Sequence, residues 1–390
     1  MPDAEIPGFL SPGALTLTTI FSFSQPMPNQ VVTFAPGRVE ILGNHTDYND
    51  GLVISAAIHL GVTIRAEKLS EPLIVVHSTT NGRETQQRLD SLVPDRAEDW
   101  ANYCFGPLLQ LKIAGAQLGG LRLQIESDLP LGAGLSSSAA LEVATALAAT
   151  TLYPFKLSPM QLAQLCQRAE NEFVGVQSGL LDQASSVFGQ SHQIICLDFR
   201  AITAQNIPLP AGLGLLIANS GIPHQLTGGE YNERRAQCAA AAVGLGVKAL
   251  RDATSEMVIA SHLDPLIKKR ALHITGEDER VLAGIELLRK GANSEFGRLM
   301  YASHESSRVN FENSTPYLDR LVEIARQLPG VLGARLSGGG FGGSIVALIE
   351  LTQADDIIHA LSQSYSDQTG ATCSALVTEP SAGARVLEQD

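Results

Sequence analysis

The residues best placed to do chemistry lie in one stretch, Leu129-Pro-Leu-Gly-Ala-Gly-Leu-Ser-Ser-Ser-Ala-Ala140. Glycines let an anion approach the main chain, and serine hydroxyls offer donors to phosphate or oxygen ligands to Mg²⁺. The flanking residues place the stretch. Leu121-Arg-Leu-Gln-Ile-Glu126 alternates apolar and polar side chains, which predicts a half-buried strand. Ser138 to Tyr153 is rich in Ala, Leu and Val, lacks Gly and Pro, and stops before Pro154, which predicts a helix. Glycines and serines therefore gather where a strand hands over to a helix N-terminus, with free N–H groups and the positive end of the helix dipole pointing outward. This is the chemistry of a phosphate site. It is not a P-loop, because no Gly-Lys pair occurs in the chain. It is not a dinucleotide fingerprint either, because Ser137 or Ser138 stands where a third glycine is needed.

A second dense stretch runs Ala35-Pro-Gly-Arg-Val-Glu-Ile-Leu-Gly-Asn-His-Thr-Asp-Tyr-Asn-Asp-Gly51, between a short strand at Val31 to Phe34 and an apolar strand at Leu52 to Ile58. Arg38, His45, Asp47 and Tyr48 crowd together there, and such a density of donors and acceptors suits a polyol or sugar. Farther on, Ser158-Pro159 opens a helix whose apolar stripe is Leu162, Leu165, Cys166, Ala169 and Phe173. Glu170 and Glu172 flank that stripe on opposite sides, and periodicity does not choose between them. Asp182 follows a glycine turn in Ser178-Gly-Leu-Leu-Asp-Gln-Ala184. In Gly333-Ala-Arg-Leu-Ser-Gly-Gly-Gly-Phe-Gly-Gly-Ser344 the glycines satisfy Gly-x-Gly-x-x-Gly, but the residues after them are β-branched. That predicts a turn between two strands rather than a nucleotide-binding helix start.

These motifs, in this order, resemble those of the GHMP kinase superfamily. Pro-x-Gly-x-Gly-Leu-Ser-Ser-Ser-Ala is similar to its phosphate loop, and residues 37–51 resemble the galactokinase signature, usually Gly-Arg-Val-Asn-Leu-Ile-Gly-Glu-His-Thr-Asp-Tyr-Asn-Gly-Gly. Two departures stand out: Glu40 replaces an Asn, and Asn44 replaces the Glu that contacts a sugar C6 hydroxyl in the family. An amide at 44 would tolerate a C6 carboxylate. The resemblance implies an α/β (α+β) fold of two lobes. The N-terminal lobe, 1–205, carries the phosphate loop at a strand end, the C-terminal lobe, 206–390, is ferredoxin-like, and the active site lies in the cleft. It implies ATP and Mg²⁺, with Asp182 as catalytic base and Arg38 beside it. Asn44, His45, Asp47, Gly179 and Tyr231 would face the sugar. Gly132, Ala133, Gly134, Leu135, Ser136, Ser137 and Ser138 would hold the phosphates. Ser138 and Glu170 would hold the metal, with Glu142 a lesser second carboxylate. Trp100, in Trp-Ala-Asn-Tyr103, is a candidate for the adenine side. Residues 273–282 and 299–318 read as helical scaffold. The activity implied is phosphorylation of the C1 hydroxyl of galactose. The alternatives are a kinase for galacturonate, N-acetylgalactosamine or arabinose, or a non-catalytic sugar and ATP sensor.

Composition agrees with a globular enzyme. The 390 residues are 44% hydrophobic and 17% charged, enough for real cores. A net charge of −13 argues against a nucleic-acid partner and requires that a triphosphate be met by main-chain amides, a helix N-terminus, Mg²⁺ and a few local cations. No run is apolar enough to span a membrane, and Met1-Pro-Asp-Ala-Glu-Ile lacks the basic region of a signal peptide. Five cysteines without Cys-x-x-Cys spacing argue against a disulfide framework or structural zinc. The expectation is a cytoplasmic monomer or weak homo-oligomer. Residues 1–30 read as a surface-hugging lead-in, and the tail beyond Glu379 as frayed.

Overall fold

The computed structural model describes residues 28–130, 132–222 and 229–390. Two sheets carry the site. The first contains β1 (Gln30–Leu42), β2 (Leu52–Leu69), β3 (Leu73–Ser78), β4 (Arg83–Arg88), β5 (Gly120–Ser127), β6 (Gln193–Asp198) and β7 (Thr203–Pro208). The second is built from β8 (Leu213–Asn219), β9 (Val331–Leu336), β10 (Ser344–Glu350) and β11 (Ser374–Thr378), and β12 (Arg385–Gln389) returns to the first. The first sheet runs β12-β1-β2-β5-β3-β4, with β6 on the far end of β2 and β7 beyond it. Only β3 and β5 pair in parallel; the other pairs are antiparallel. The second sheet has the order β11-β8-β10-β9, antiparallel throughout. Numbered within that sheet this is 4-1-3-2, the ferredoxin-like arrangement expected.

The helices are α1 (Asn102–Ile113), α2 (Ser137–Leu152), α3 (Pro159–Ala169), α4 (Leu181–Phe188), α5 (Gly229–Leu245), α6 (Ser255–Ala260), α7 (Pro265–Arg289), α8 (Asn293–Ser306), α9 (Pro316–Gln327) and α10 (Ala354–Thr369). The alanines of α2 bring it close to β1, where the buried Thr33 hydroxyl donates to the Ala144 carbonyl at 2.9 Å. At α3 the helix opens at Ser158-Pro159 as the sequence foretold, and Ser158 and Gln161 add a capping box. The apolar side chains of β8 and β10 divide by period two. Leu215, Ile217, Val346 and Leu348 join the first sheet's core, while Leu216, Ala218, Ile345 and Ala347 pack with Leu321, Ala325, Leu361 and Tyr365 of α9 and α10. Strands buried on both faces in this way read as continuous apolar runs.

Two local expectations fail. The short strand at Val31 to Phe34 is the start of a thirteen-residue strand that runs through Arg38 and Glu40 to Leu42. Register breaks at Pro36/Arg38 and Glu40/Leu42 let Pro and polar residues stay in the ladder. Nor is the tail frayed: β12 pairs with β1, Val31 opposite Gln389 and Phe34 opposite Arg385. The side chains of β12 are all exposed, so main-chain pairing holds it and no burial pattern announced it. Most of the lead-in, residues 1–27, lies outside the described residues, as do Leu131 and residues 223–228. The chain passes from the first sheet to the second in the turn after β7, so residues 205 and 206 both lie within that strand.

Candidate active site

One cleft, with a volume of about 610 Å³, gathers the motifs. Its wall includes Arg38, Glu40, Asn44, His45, Asp47, Gly132, Gly134, Ser136, Glu170, Gly179, Asp182, Tyr231 and the turn around Gly338. Asp182, in the first turn of α4, is held from two sides. Arg38 donates from Nε to Oδ1 at 2.8 Å and pairs through its second terminal nitrogen at 2.7 Å, while the Ser136 hydroxyl donates to Oδ2 at 2.7 Å. The remaining Arg38 nitrogen donates to the Gly134 carbonyl at 2.8 Å, tying the carboxylate's partner to the phosphate loop. The Arg38 amide also donates to the Leu135 carbonyl at 3.1 Å. A Cβ on Gly37 would lie 2.6 Å from that carbonyl oxygen, so only glycine allows strand and loop to come this close.

The loop itself presents backbone. Ala133 and Leu135 bury their side chains, and Gly132, Gly134 and Ser136 take positive φ. No side chain caps α2, which leaves the first-turn N–H groups of the helix for an anion. Ser137 is exposed and Ser138 half-buried in that first turn. The Ser344 hydroxyl donates to the Ala133 carbonyl at 2.8 Å, so the glycine turn before β10 props the phosphate loop from behind.

Beside the loop lies a buried acidic pair. Glu170 faces the cleft, while Glu172 is exposed and accepts from Gln110 at 2.8 Å, so the structure makes the choice that periodicity left open. Gln183 donates to both Glu170 and Glu142 at 2.9 Å, and Ser178 donates to Glu170. Burial pushes both carboxyls up, Glu170 and Asp182 adding to the rise of Glu142 and Asp182 to that of Glu170, while the Ser178, Gln183 and Ser138 hydrogen bonds only partly offset it at Glu170. Glu142 Oε1 is buried without a partner. A cation would relieve this, and the donor set of carboxylate and hydroxyl oxygens suits Mg²⁺, which takes few protein ligands alongside phosphates and water. Among the described residues no group of three or more His, Cys, Asp or Glu forms a closed metal cage.

The signature loop is pinned by α7, which sequence reading treated as scaffold. Glu277 accepts the amides of Gly43 and Asn44 at 2.8 and 2.9 Å, and Asp278 accepts that of Leu52 at 2.7 Å. Arg280, with further help from His273 and Arg335, holds the buried Glu277 well below the usual carboxylate range despite burial. Thr46 donates to the Gly43 and Leu52 carbonyls, closing the loop on itself. The adjacent acids Glu277 and Asp278, in mid-helix beside Gly276, were the available signal. His45, at φ 61°, places Nε2 3.0 Å from the Gly339 carbonyl and Nδ1 2.9 Å from the Tyr48 hydroxyl. A carbonyl only accepts, so Nε2 carries the hydrogen and Nδ1 accepts from tyrosine. Burial lowers the imidazole to about 4, so it is neutral near pH 7. The Tyr231 ring lies 5.3 Å from that of His45, tilted by 38°. Asp47 is pushed up to about 7 by burial and by the charges of Glu40 and Asp182. Its Oδ2 occupies the space that a Cβ on Gly179 would need. Asn44 lines the wall too, but its amide is engaged by the protein. Trp100 does not line the cleft; it packs on the first core and its indole donates to Glu98 at 2.6 Å.

Comparison with known proteins agrees with this geometry. Residues 102–190 match the GHMP kinases N terminal domain, 285–367 the GHMP kinases C terminal, and 20–68 the galactokinase galactose-binding signature. The chain belongs to the GHMP kinases. A galactokinase from Haemophilus influenzae is 39% identical over 92% of this chain and 95% of its own length, and one from a Roseiflexus species 40% identical over 92% and 93%. The crystal structure of Lactococcus lactis galactokinase complexed with galactose superimposes with a TM-score of 0.88 at 32% identity, covering 93% of this chain and 96% of that one. A mevalonate kinase structure, at 19% identity and TM-score 0.65, shares the fold. Within the superfamily the chain falls in the galactokinase branch, an ATP-dependent sugar kinase of mixed α/β fold.

Proposed function

We propose that the protein transfers the terminal phosphoryl group of ATP to the C1 hydroxyl of α-D-galactose, giving galactose 1-phosphate and ADP. The observation that carries this is Asp182, clamped between Arg38 and Ser136 with Arg38 also bound to the phosphate loop. In this reading Asp182 accepts the C1 proton, and Arg38 holds its carboxylate in place while offsetting charge on the moving group. The sugar rests on His45, Asp47, Gly179 and Tyr231. The amides from Gly132 through Ala133, Gly134, Leu135, Ser136 and Ser137 to Ser138 meet the phosphates, and Ser136 has the further task of orienting Asp182. Ser138 and Glu170 would hold Mg²⁺, with Glu142 behind them. When bound, the ion neutralises phosphate charge during transfer. We divide the lobes as expected near residues 205–206, with β7 and β12 assigned to the first. No helix among the described residues is long and apolar enough to cross a membrane, and we place the enzyme in the cytoplasm as a monomer or weak homo-oligomer.

The test is ADP release with Mg-ATP across galactose, galacturonate, N-acetylgalactosamine, arabinose and glucose. Clear preference for galactose is the expected result. Preference for another of these sugars would replace the substrate, and silence with all of them would replace catalysis with sensing.

A further inference from the structure

Glu40 is a cleft-lining carboxylate that no step above employs. It stands two residues from Arg38 in a regular part of β1, opposite Ser55 as Arg38 is opposite Ala57, so both side chains leave the same face. Two residues of strand separate their Cα atoms by about 6.6 Å, the scale of one sugar ring. Arg38 marks the reacting end because it holds Asp182. Glu40 therefore marks the end away from C1, the side on which C4 and the adjoining hydroxymethyl arm of a hexose lie.

The two oxygens of Glu40 differ. Oε1 accepts from Asn44 Nδ2 at 2.9 Å and from Arg335 at 2.8 Å, and the Arg335 side chain is wholly buried. Ser337 clamps the Glu40 main chain, its hydroxyl 3.1 Å from the Glu40 amide and 3.2 Å from the carbonyl. Oε2 makes no hydrogen bond to a described residue. Asn44 is the opposite case, with both ends of its amide committed. Its Nδ2 donates to Glu40 and to the Gly338 carbonyl at 2.8 Å, and its Oδ1 accepts from Asn313 at 3.0 Å.

We propose that Glu40, rather than Asn44, is the specificity-determining residue for the far end of the sugar: Oε2 accepts the hydrogen bond of the C6 hydroxyl, and Asn44 and Arg335 fix the carboxylate for that purpose. The assignment rests on the sugar kinase reading above. A C6 carboxylate would bring no hydrogen to donate to Oε2 and would set a second acid against Glu40, so the site selects neutral hexoses and rejects uronates. The Glu40–Asn44 hydrogen bond also explains why an amide at 44 does not leave the cleft without an acid. The carboxylate stands four residues earlier, on β1.

The experiment compares kcat and KM of the unmodified enzyme for galactose, 6-deoxygalactose and galacturonate. Loss of the C6 hydroxyl is expected to lower kcat/KM roughly ten- to hundredfold, mostly through KM, as for a hydrogen bond to a charged acceptor. Galacturonate should give no turnover. In Glu40→Gln the preference for galactose over 6-deoxygalactose should fall toward one, and galacturonate should begin to react. Equal use of galactose and 6-deoxygalactose by the unmodified enzyme, or brisk galacturonate turnover, overturns the assignment whether or not the variant folds. A well-folded Glu40→Gln that keeps the full preference also overturns it. Absence of turnover with galactose itself would overturn the kinase reading instead.

Discussion

The two ends of the cleft are built on different principles. At the phosphate end, main chain does the presenting: Gly132 and Gly134 would meet nothing within 4 Å if given a Cβ, and the helix start behind them is uncapped. At the sugar end, side chains are buried, interlocked and backed by the acids of α7. A triphosphate is the same in every kinase, and in the proposed reading an open cradle of amides would serve it. A sugar is distinguished by the direction of single hydroxyls, and that requires donors and acceptors that cannot turn. Asp182 joins the two ends, since its oxygens are held one by Arg38 of the signature strand and the other by Ser136 of the loop.

The sharpest way to separate the ends is Asp182→Asn. It should lower kcat by about 10²–10⁴, the usual worth of a positioned proton acceptor, while galactose still binds. Rapid-quench turnover together with calorimetric sugar binding checks this, and unchanged turnover would remove Asp182 from the role. Breaking the rigid end calls for Glu277→Gln. The glutamine can still accept the Gly43 and Asn44 amides but leaves Arg280 without its anion, which should cost about 3 kcal/mol in denaturant unfolding. An equal loss from a substitution in the phosphate loop would erase the contrast. A smaller effect concerns pH. Burial raises Asp278 from 3.8 to about 7, with Glu277 and Asp198 adding to the rise and Arg251 and the Leu52 amide opposing it. Between about pH 4 and 7 the folded state holds a proton that the unfolded state has lost, so stability falls as pH rises across that window and levels off above it. Asp278→Asn should flatten this slope and stabilise the protein by about 2 kcal/mol at pH 8. Thermal unfolding from pH 4 to 8 reads it, and an unaltered slope would refute it.

The contrast also explains what could be read from the sequence. The strand-to-helix junction of the proposed phosphate loop was legible because it is made of consecutive residues, Gly132 to Ser138, between a strand and a helix with strong periodicity. The strand β1 was read too short because Pro36 and the polar residues after it look like a loop until the register breaks that accommodate them are seen. Glu277, Asp278, Asn313 and Arg335 act on the signature from more than 200 residues away, through contacts that only the fold creates. The strand β12 was missed for another reason: a strand held by its main chain, with every side chain in solvent, has no hydrophobic alternation to display.

No cysteine lines the cleft, and hydroxyls stand at Ser178 beside Glu170 and at Ser344 behind the phosphate loop. The five cysteines of the chain all lie elsewhere, free and buried, and burial raises each of their thiols above the ordinary value. Because the thiolate is the form that peroxide and electrophiles attack, the cleft offers such reagents no foothold.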